Sequence, residues 1–199
     1  PRPAHLSWTE AAVTSGAMVT VWRMLMTRAR LQAGEHVLIF GASGGTGSAA
    51  IQLAREIGAI VIAVASNERK AAFCLSLGAH HVIRSDVSDV AAQARSITRN
   101  RGVEVVFDHV GSTTWQTGID ALCWGGRLVI CGATEGFDAR VDLRFLWNKQ
   151  LSLLGSHAGT HREWVQAMRL VSGRQLRPAL TEVVGLDGLV EAQMRMADR

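Results

Sequence analysis

The chain has 199 residues, of which 48% are hydrophobic and 19% charged, a composition typical of a globular protein with a buried core. No apolar run reaches the ~20 residues that a membrane span requires. The net charge of +4 is spread along the chain without a block of about five like charges, so we expect no nucleic-acid partner and interpret residues such as Arg95 as solvated helix surface. The three cysteines lie far apart without metal-ligand spacing, which favours a reducing compartment, and we expect a cytoplasmic protein.

The first predicted element is a helix of about residues 7–28. Ser7 followed by Glu10 has the spacing of a capping box, in which each side chain bonds the backbone N–H of the other residue. Because glycine has a low helix propensity, we expect Gly16 to interrupt this helix.

Residues 37–47 are the most informative stretch of the chain. The apolar run Val-Leu-Ile-Phe leads into a glycine turn, Gly41-Ala-Ser-Gly-Gly-Thr-Gly, and a helical pattern follows at once. A strand that turns sharply into a helix directs free backbone N–H groups, at the positive end of the helix dipole, to one point that suits a pyrophosphate. A purely structural turn is the alternative, but the strand before and the helix after favour dinucleotide binding.

Beyond the turn, short apolar runs of strand length alternate with helical patterns. Strands are predicted at 37–40, 60–64, 81–83, 103–107, 127–131 and 151–154, and helices at 48–55, 68–77, 87–98, 113–122, 142–148, 162–171 and 186–196. Ser85 or Asp86 is the predicted N-cap of the helix at 87–98. Apolar strands separated by helices predict a doubly wound, Rossmann-type α/β fold of about six parallel strands with helices on both faces.

The tip of the second strand indicates which dinucleotide is bound. A preference for NAD requires a carboxylate there for the ribose 2′-OH. This chain instead has the small, neutral Ser66 at the tip, with Arg69 and Lys70 near enough to bind a 2′-phosphate. Glu68 weakens this interpretation, because it is a carboxylate two residues past the tip. Arg69 and Lys70 are alternatively ordinary charges on the surface of the helix. We favour NADP(H) over NAD(H), with Arg84 as a further residue that could stack or pair with phosphate.

Seven motifs together resemble one enzyme superfamily. They are His5-Leu-Ser-Trp-Thr-Glu-Ala-Ala, Leu31-Gln-Ala-Gly-Glu-His-Val-Leu-Ile, the glycine turn with Ser-Ala-Ala-Ile-Gln-Leu-Ala after it, Leu77-Gly-Ala, Val106-Phe-Asp-His-Val-Gly, Gly125-Gly-Arg-Leu-Val-Ile-Cys-Gly-Ala-Thr and Leu154-Gly-Ser. Their order and spacing resemble the medium-chain dehydrogenase/reductase superfamily, and most of all its quinone oxidoreductase and zinc-type alcohol dehydrogenase branch. The resemblance implies that residues 1–199 are an excised NAD(P)-binding Rossmann domain with its interdomain helix. The family's N-terminal GroES-like catalytic domain is then absent, and we expect the isolated chain to be inactive.

The resemblance also implies roles for particular residues. Ser43, Gly44, Gly45 and Thr46 would hold the pyrophosphate, and the 108–111 loop, with Val110, would pass beneath the nicotinamide-side ribose. Backbone groups of two loops would bond the nicotinamide carboxamide: Gly132, Ala133 and Thr134 in one, Gly155 and Ser156 in the other.

Two side chains in the 108–111 loop have alternative roles. Asp108 is a candidate acceptor for either the ribose or the backbone. His109 is either a proton shuttle or, as we favour, a loop histidine that follows the cofactor's edge, since no second acid or base has a spacing that would orient it. No catalytic residue is therefore assigned.

The resemblance bears on zinc and on the reaction. The zinc-type branch places a cysteine ligand in the interdomain helix, where this chain has Ser15, Gly16 and Ala17, so no zinc is expected. A zinc-independent quinone or enone reductase, acting on a small-molecule substrate in the full-length enzyme, is therefore favoured. The alternatives are a zinc-type alcohol dehydrogenase domain and a nucleotide-binding module without turnover.

The last predicted strand, at 151–155, implies an assembly. It should lie at a sheet edge, is apolar, and carries no lysine or proline that would block pairing. We expect a homodimer through this edge, the alternative being a monomer in which residues 137–144 cover it.

Overall fold

The computed structural model describes residues 2–197. Six strands form one sheet: β1 (His36–Ile39), β2 (Ile60–Ala65), β3 (His81–Arg84), β4 (Val103–Asp108), β5 (Leu122–Ile130) and β6 (Ser152–Gly155). Every neighbouring pair is parallel, and the order across the sheet is β3-β2-β1-β4-β5-β6. The predicted doubly wound α/β fold is confirmed.

Eight α-helices accompany the sheet within the described residues. They are α1 (Trp8–Trp22), α2 (Gly45–Ile57), α3 (Glu68–Ser76), α4 (Val90–Ile97), α5 (Ser112–Ala121), α6 (Leu143–Asn148), α7 (His161–Ser172) and α8 (Leu189–Ala197), the last preceded by a 3₁₀ turn at Leu186–Gly188. Among them we find no helix with both the length and the apolarity needed to cross a bilayer.

The two faces of the sheet bury separate cores. Val37 and Ile39 of β1 point to one face, where they pack with residues of α1 and α2 such as Ile51. Leu38, between them, points to the opposite face and packs with Ala94 of α4 and Ile119 of α5. This alternation follows from the two-residue period of a strand, and it explains why the strands are apolar on both sides.

The strand order locates the site. β1 lies between β2 and β4. The chain adds β2 and β3 on one side of β1, then returns to the centre and adds β4, β5 and β6 on the other side. In open α/β sheets a ligand binds in the crevice outside the carboxyl ends of the strands at this reversal. The glycine turn after β1 and the loop after β4 flank that crevice.

The first helix differs from its prediction. The capping box is present, with Glu10 N donating to Ser7 Oγ (3.1 Å) and Ser7 N donating to Glu10 Oε2 (2.7 Å). Gly16 does not interrupt α1, which continues through it from Trp8 to Trp22, and a Cβ at this position would have no neighbour within 4 Å. The irregularity lies later, where residues Arg23–Arg28 form a π-helix, so the prediction at Gly16 was wrong.

Two other boundaries also differ. α4 begins at Val90 with Asp89 as its N-cap, not with Ser85 or Asp86, because Asp86 is held by Arg84. β5 begins at Leu122, five residues before its predicted start at Arg127, because an irregularity in the β4–β5 register lets the strand continue through the two glycines.

Candidate functional site

A cleft of about 1770 Å³ opens at the carboxyl edge of the sheet. Its centre is the turn between β1 and α2. Gly44 is the N-cap of α2 and has no side chain to accept from the first backbone N–H groups of the helix, so these groups stay available to a ligand. Gly41 has a φ of +59°, a left-handed conformation that glycine adopts without strain, and its carbonyl accepts from Gly44 N (3.0 Å).

The third glycine of the turn is needed for packing. A Cβ on Gly47 would lie 2.2 Å from the Gly41 carbonyl oxygen and 2.6 Å from Ala42 Cα. Only glycine therefore lets α2 begin this close to the strand end. The turn and the start of the helix are therefore in close contact, which suits a preformed anion site.

The side of the cleft at the tip of β2 carries the predicted cations. Lys70 Nζ donates to Ser66 Oγ (2.8 Å), which brings an ammonium and a hydroxyl together at the tip of β2. Arg69 lines the cleft beside them, and Asn67 caps α3 by accepting from Lys70 N (2.9 Å). An ammonium, a guanidinium and a hydroxyl at one point are donors suited to a phosphate monoester.

The Glu68 carboxylate, near the tip of β2, is paired with Arg84. Arg84 Nη1 donates to Glu68 Oε2 (2.6 Å), while Arg84 Nε and Nη2 donate to the two carboxylate oxygens of Asp86 (2.8 and 2.6 Å). These hydrogen bonds lower the pKa of Asp86. Arg84 is thus occupied by two carboxylates, and it is not among the described residues that line the cleft, which argues against the phosphate contact suggested for it.

Asp108 at the end of β4 organises its own loop. It is fully buried, and its Oδ1 accepts from Val110 N (2.7 Å) and Gly111 N (3.3 Å). Its Oδ2 accepts from Thr114 Oγ1 (2.8 Å). Of the two alternatives for this carboxylate, the structure therefore has the backbone acceptor, which fixes the turn that carries Val110 into the cleft.

His109 lies against the glycine turn. A Cβ on Gly41 would be 2.7 Å from its Cε1 and Nε2, and its ring meets Phe107 edge-on at a centroid distance of 6.0 Å. Burial lowers the pKa of His109, against a smaller opposing effect of the Asp108 carboxylate, and so favours the neutral imidazole. Within residues 2–197 its Nε2 has no hydrogen-bond partner.

The two predicted nicotinamide loops are neighbours. β5 and β6 pair in parallel with Ile130 opposite Gly155, so their carboxyl ends meet at one place. Ser156 N donates to Ile130 O (2.8 Å), which ties the second loop to the end of β5. In the first loop Thr134 N donates to His109 O (3.4 Å), which ties it to the end of β4.

Most predicted cofactor-binding residues line the cleft: Ser43, Gly44, Gly45, Ser66, Arg69, Lys70, Val110 and Thr134. Thr46, Gly132, Ala133, Gly155 and Ser156 are not among the described residues that line it.

The cleft also has walls that the sequence analysis missed, including Phe73, Arg95, Phe145 and Lys149. Arg95 donates from Nη1 to Asp120 O (2.9 Å), and it was wrongly interpreted as plain helix surface. Basic residues on helices are common, so no signal in the sequence distinguished Arg95 from its neighbours.

The residues that stand where the zinc-type branch has its cysteine ligand lie in α1, which packs against α7. Ser15 Oγ accepts a hydrogen bond from Trp164 Nε1 of α7 (2.8 Å), and Gly16 continues α1. Among residues 2–197, no three His, Cys, Asp or Glu side chains come together as a metal site requires.

Comparison with known proteins gives consistent matches. A family model described as zinc-binding dehydrogenase matches residues 45–173. Crotonyl-CoA reductase of Streptomyces avermitilis is 35% identical over 211 residues, which cover 96% of this chain and 47% of that protein. The chain thus spans about half the length of such curated relatives.

Two solved structures show the same fold. The 2-octenoyl-CoA carboxylase reductase CinF, solved with NADP and 2-octenoyl-CoA, superposes with a TM-score of 0.88 at 34% identity, over 96% of this chain and 47% of that one. An NAD-dependent alcohol dehydrogenase superposes with a TM-score of 0.94 at 31% identity, over 100% of this chain and 58% of that one.

Proposed function

Because the chain belongs to the zinc-binding dehydrogenase family of the medium-chain dehydrogenase/reductase superfamily, we propose that it is the NADP(H)-binding domain of a reductase. The observation that carries this proposal is the turn between β1 and α2, which presents unpaired helix N–H groups to the cleft beside the Lys70–Ser66 pair. The first element suits a diphosphate and the second a 2′-phosphate. We propose that residues 1–199 form this domain, with the helical segment of about 7–28 joining it to a catalytic domain of the GroES-like type.

The proposed reaction is reduction of an activated carbon–carbon double bond without zinc. A bound nicotinamide would supply the hydride. The residues of this chain would bind and orient the cofactor: the turn at Ser43–Gly45 its diphosphate, Val110 the adjoining ribose, and the loops after β5 and β6 the carboxamide. Relatives named for crotonyl-CoA and 2-octenoyl-CoA support an α,β-unsaturated acyl thioester as substrate class.

The pairing of Glu68 supports NADP(H) over NAD(H). A preference for NAD needs a free carboxylate at the ribose 2′-OH, whereas Glu68 is engaged by Arg84 and the cleft wall beside it is Ser66, Arg69 and Lys70. The NADP in the CinF structure supports the same choice. The likeness to an NAD-dependent alcohol dehydrogenase is the observation that keeps NAD(H) as the second candidate.

Calorimetric titration of the chain with NADPH and with NADH tests this proposal. We expect both to bind, since they share the diphosphate, and NADPH to bind at least tenfold more tightly because of its 2′-phosphate. Equal affinities, or tighter binding of NADH, would contradict the assignment of Ser66, Arg69 and Lys70. Binding without turnover of an enoyl thioester is expected for the isolated chain, since it spans only about half the length of its curated relative, 47% of the crotonyl-CoA reductase.

Two other functions remain as alternatives, and each has its own outcome. A zinc-type alcohol dehydrogenase domain predicts that the full-length enzyme holds zinc in a site of the other domain. A nucleotide-binding module without turnover predicts NADPH binding by a full-length protein that reduces neither enones nor quinones. Assays of the full-length protein with metal analysis separate the three.

We further propose a homodimer through β6. This strand lies at the sheet edge and has no proline or lysine to block it. Residues 137–144, the suggested cover, are held by α5 instead: Ser112 Oγ donates to Asp138 O (2.6 Å) and Trp115 Nε1 to Arg140 O (3.0 Å).

A cytoplasmic location is proposed from the cysteines. All three of them, Cys74, Cys123 and Cys131, are free thiols, as expected in a reducing compartment. Measuring the distribution of the full-length protein by cell fractionation tests this placement.

A further inference from the structure

The loop between β6 and α7, residues 156–160, is fastened to the first helical segment at three points. At its start, Arg28 Nε donates to the carbonyl oxygen of Gly155 (2.7 Å). In its middle, Gly159 lies so close to α1 that a Cβ there would be 2.4 Å from Val19 Cγ2. At its end, Thr160 belongs to the capping box of α7, whose Glu163 is bonded by Arg23.

The π-helix Arg23–Arg28 supplies two of these three contacts. Arg23 Nη1 and Thr27 Oγ1 both donate to the Glu163 carboxylate, at 2.9 and 2.6 Å. Arg28, the next residue, reaches Gly155 instead. π-Helical segments are rare and occur frequently at functional sites. Here the segment binds both ends of one loop.

The fastened loop is itself under constraint. Ala158 has a φ of +49°, a left-handed conformation that costs free energy for any residue with a side chain. Ser156 Oγ is buried and has no hydrogen-bond partner within residues 2–197. The left-handed Ala158 and the unpaired Ser156 hydroxyl show that this loop is held in its conformation by its surroundings.

We propose that Arg28 is a positioning residue for the nicotinamide end of the cofactor. It holds the Gly155 carbonyl, and with it the peptide group between Gly155 and Ser156, at the edge where the loops after β5 and β6 meet. This inference rests on the proposed function, in which those two loops bond the carboxamide. Arg28 need not touch the cofactor, because its effect passes through the backbone of Gly155.

The test compares two ligands that share one end of the site. NADPH carries both halves of the dinucleotide, whereas 2′,5′-ADP carries only the adenosine half with its 2′-phosphate. Arg28→Met removes the donor but keeps an aliphatic chain of similar length. We expect it to weaken NADPH binding roughly tenfold, the scale of one charge-assisted hydrogen bond, and to leave 2′,5′-ADP binding unchanged.

Three variants and one spectroscopic signal sharpen the test. Arg28→Lys keeps a cationic donor and should recover part of the lost affinity. Arg30→Met, at an exposed arginine two residues away, should bind both ligands like wild type. The fluorescence of bound NADPH should differ in Arg28→Met, because the environment of the nicotinamide changes.

Each outcome has one meaning. An equal loss for NADPH and 2′,5′-ADP would make Arg28 a merely structural residue and overturn the inference, as would unchanged binding of both. If wild-type protein binds neither ligand, the proposed function fails and this inference fails with it. Wild-type binding of both ligands with a selective loss of NADPH in Arg28→Met supports it.

Discussion

The contacts of single residues fix the backbone around the cleft: Gly47 leaves no room for a side chain, and the Asp108 carboxylate accepts from the backbone of its own loop. The glycines of the turn could be identified from the sequence because backbone geometry alone requires them. At Gly47, for example, a Cβ would lie only 2.2 Å from the Gly41 carbonyl oxygen. Asp108 and Arg84 were left with open roles because their partners lie elsewhere in the chain. Asp108 turns inward to the backbone of its own loop, and Arg84 is occupied by Glu68 and Asp86.

Gly44→Val should abolish NADPH binding at the cost of a small shift of the Gly41 carbonyl oxygen, from which a Cβ at Gly44 would be 3.3 Å. The φ of −76° and ψ of 174° at Gly44 suit a β-branched residue, but its side chain would stand where the diphosphate must approach the helix N–H groups. Calorimetry gives the affinity and circular dichroism the fold. Gly16→Ala, in open space on α1, is the control that should bind normally. A folded Gly44→Val protein with wild-type affinity would show that the diphosphate lies elsewhere.

Arg69→Ala combined with Lys70→Ala should weaken the binding of NADPH by ~1–3 kcal/mol, the scale of charge-assisted hydrogen bonds. NADH should be almost unaffected, because it has no 2′-phosphate. Fluorescence titration of both cofactors measures the difference, with Arg162→Ala, an exposed arginine on α7, as control. If both cofactors lose affinity equally, Arg69 and Lys70 act only as surface charges.

Among the helices and strands, those predicted best were the ones whose pattern is local. Apolar runs located all six strands, and most clearly β1, β2 and β4, which are buried on both faces. The π-helix was not predicted, because nothing in Arg23–Arg28 itself departs from an α-helical sequence. Its cause is tertiary: Arg23 and Thr27 both reach Glu163, which lies 140 and 136 residues further on.

Glu163→Gln should destabilise the protein by about 2–4 kcal/mol at pH 7, since it removes a buried charge from its hydrogen-bonded partners. Burial alone would raise the pKa of Glu163, but hydrogen bonds from Thr160, Thr27 and Arg23 outweigh it and lower the pKa to about 2. A carboxylate whose pKa is lower in the folded than in the unfolded state stabilises the fold at pH values above its unfolded-state pKa, here 4.5. This stabilisation is lost as the pH falls from 4.5 towards the folded-state pKa of about 2.

Urea unfolding of wild type and Glu163→Gln between neutral and acidic pH measures this effect. The difference in unfolding free energy should shrink as the pH falls below 4.5. Glu191→Gln, which removes an exposed carboxylate paired with Arg195, should change stability by less than about 1 kcal/mol. A difference between wild type and Glu163→Gln that does not vary with pH would contradict the role given to the carboxylate.

At the scale of the whole molecule, the sheet order predicts an open edge at β6 and hence self-association. Light scattering should give a mass near twice the 21.4 kDa of one chain. Ser152→Lys, at an exposed position of the edge strand, should return it to the monomer, because a lysine there opposes strand pairing. A wild-type mass of 21.4 kDa would contradict the proposed dimer.

We propose that one cleft holds the diphosphate at the glycine turn and the 2′-phosphate at Ser66, Arg69 and Lys70. Phosphorus NMR of NADPH titrated with the protein observes both groups separately in one experiment. We predict that the diphosphate and 2′-phosphate signals all shift on binding, and that Arg69→Ala with Lys70→Ala reduces the shift of the 2′-phosphate alone. Bound NADPH whose diphosphate signals keep their free positions would contradict the account.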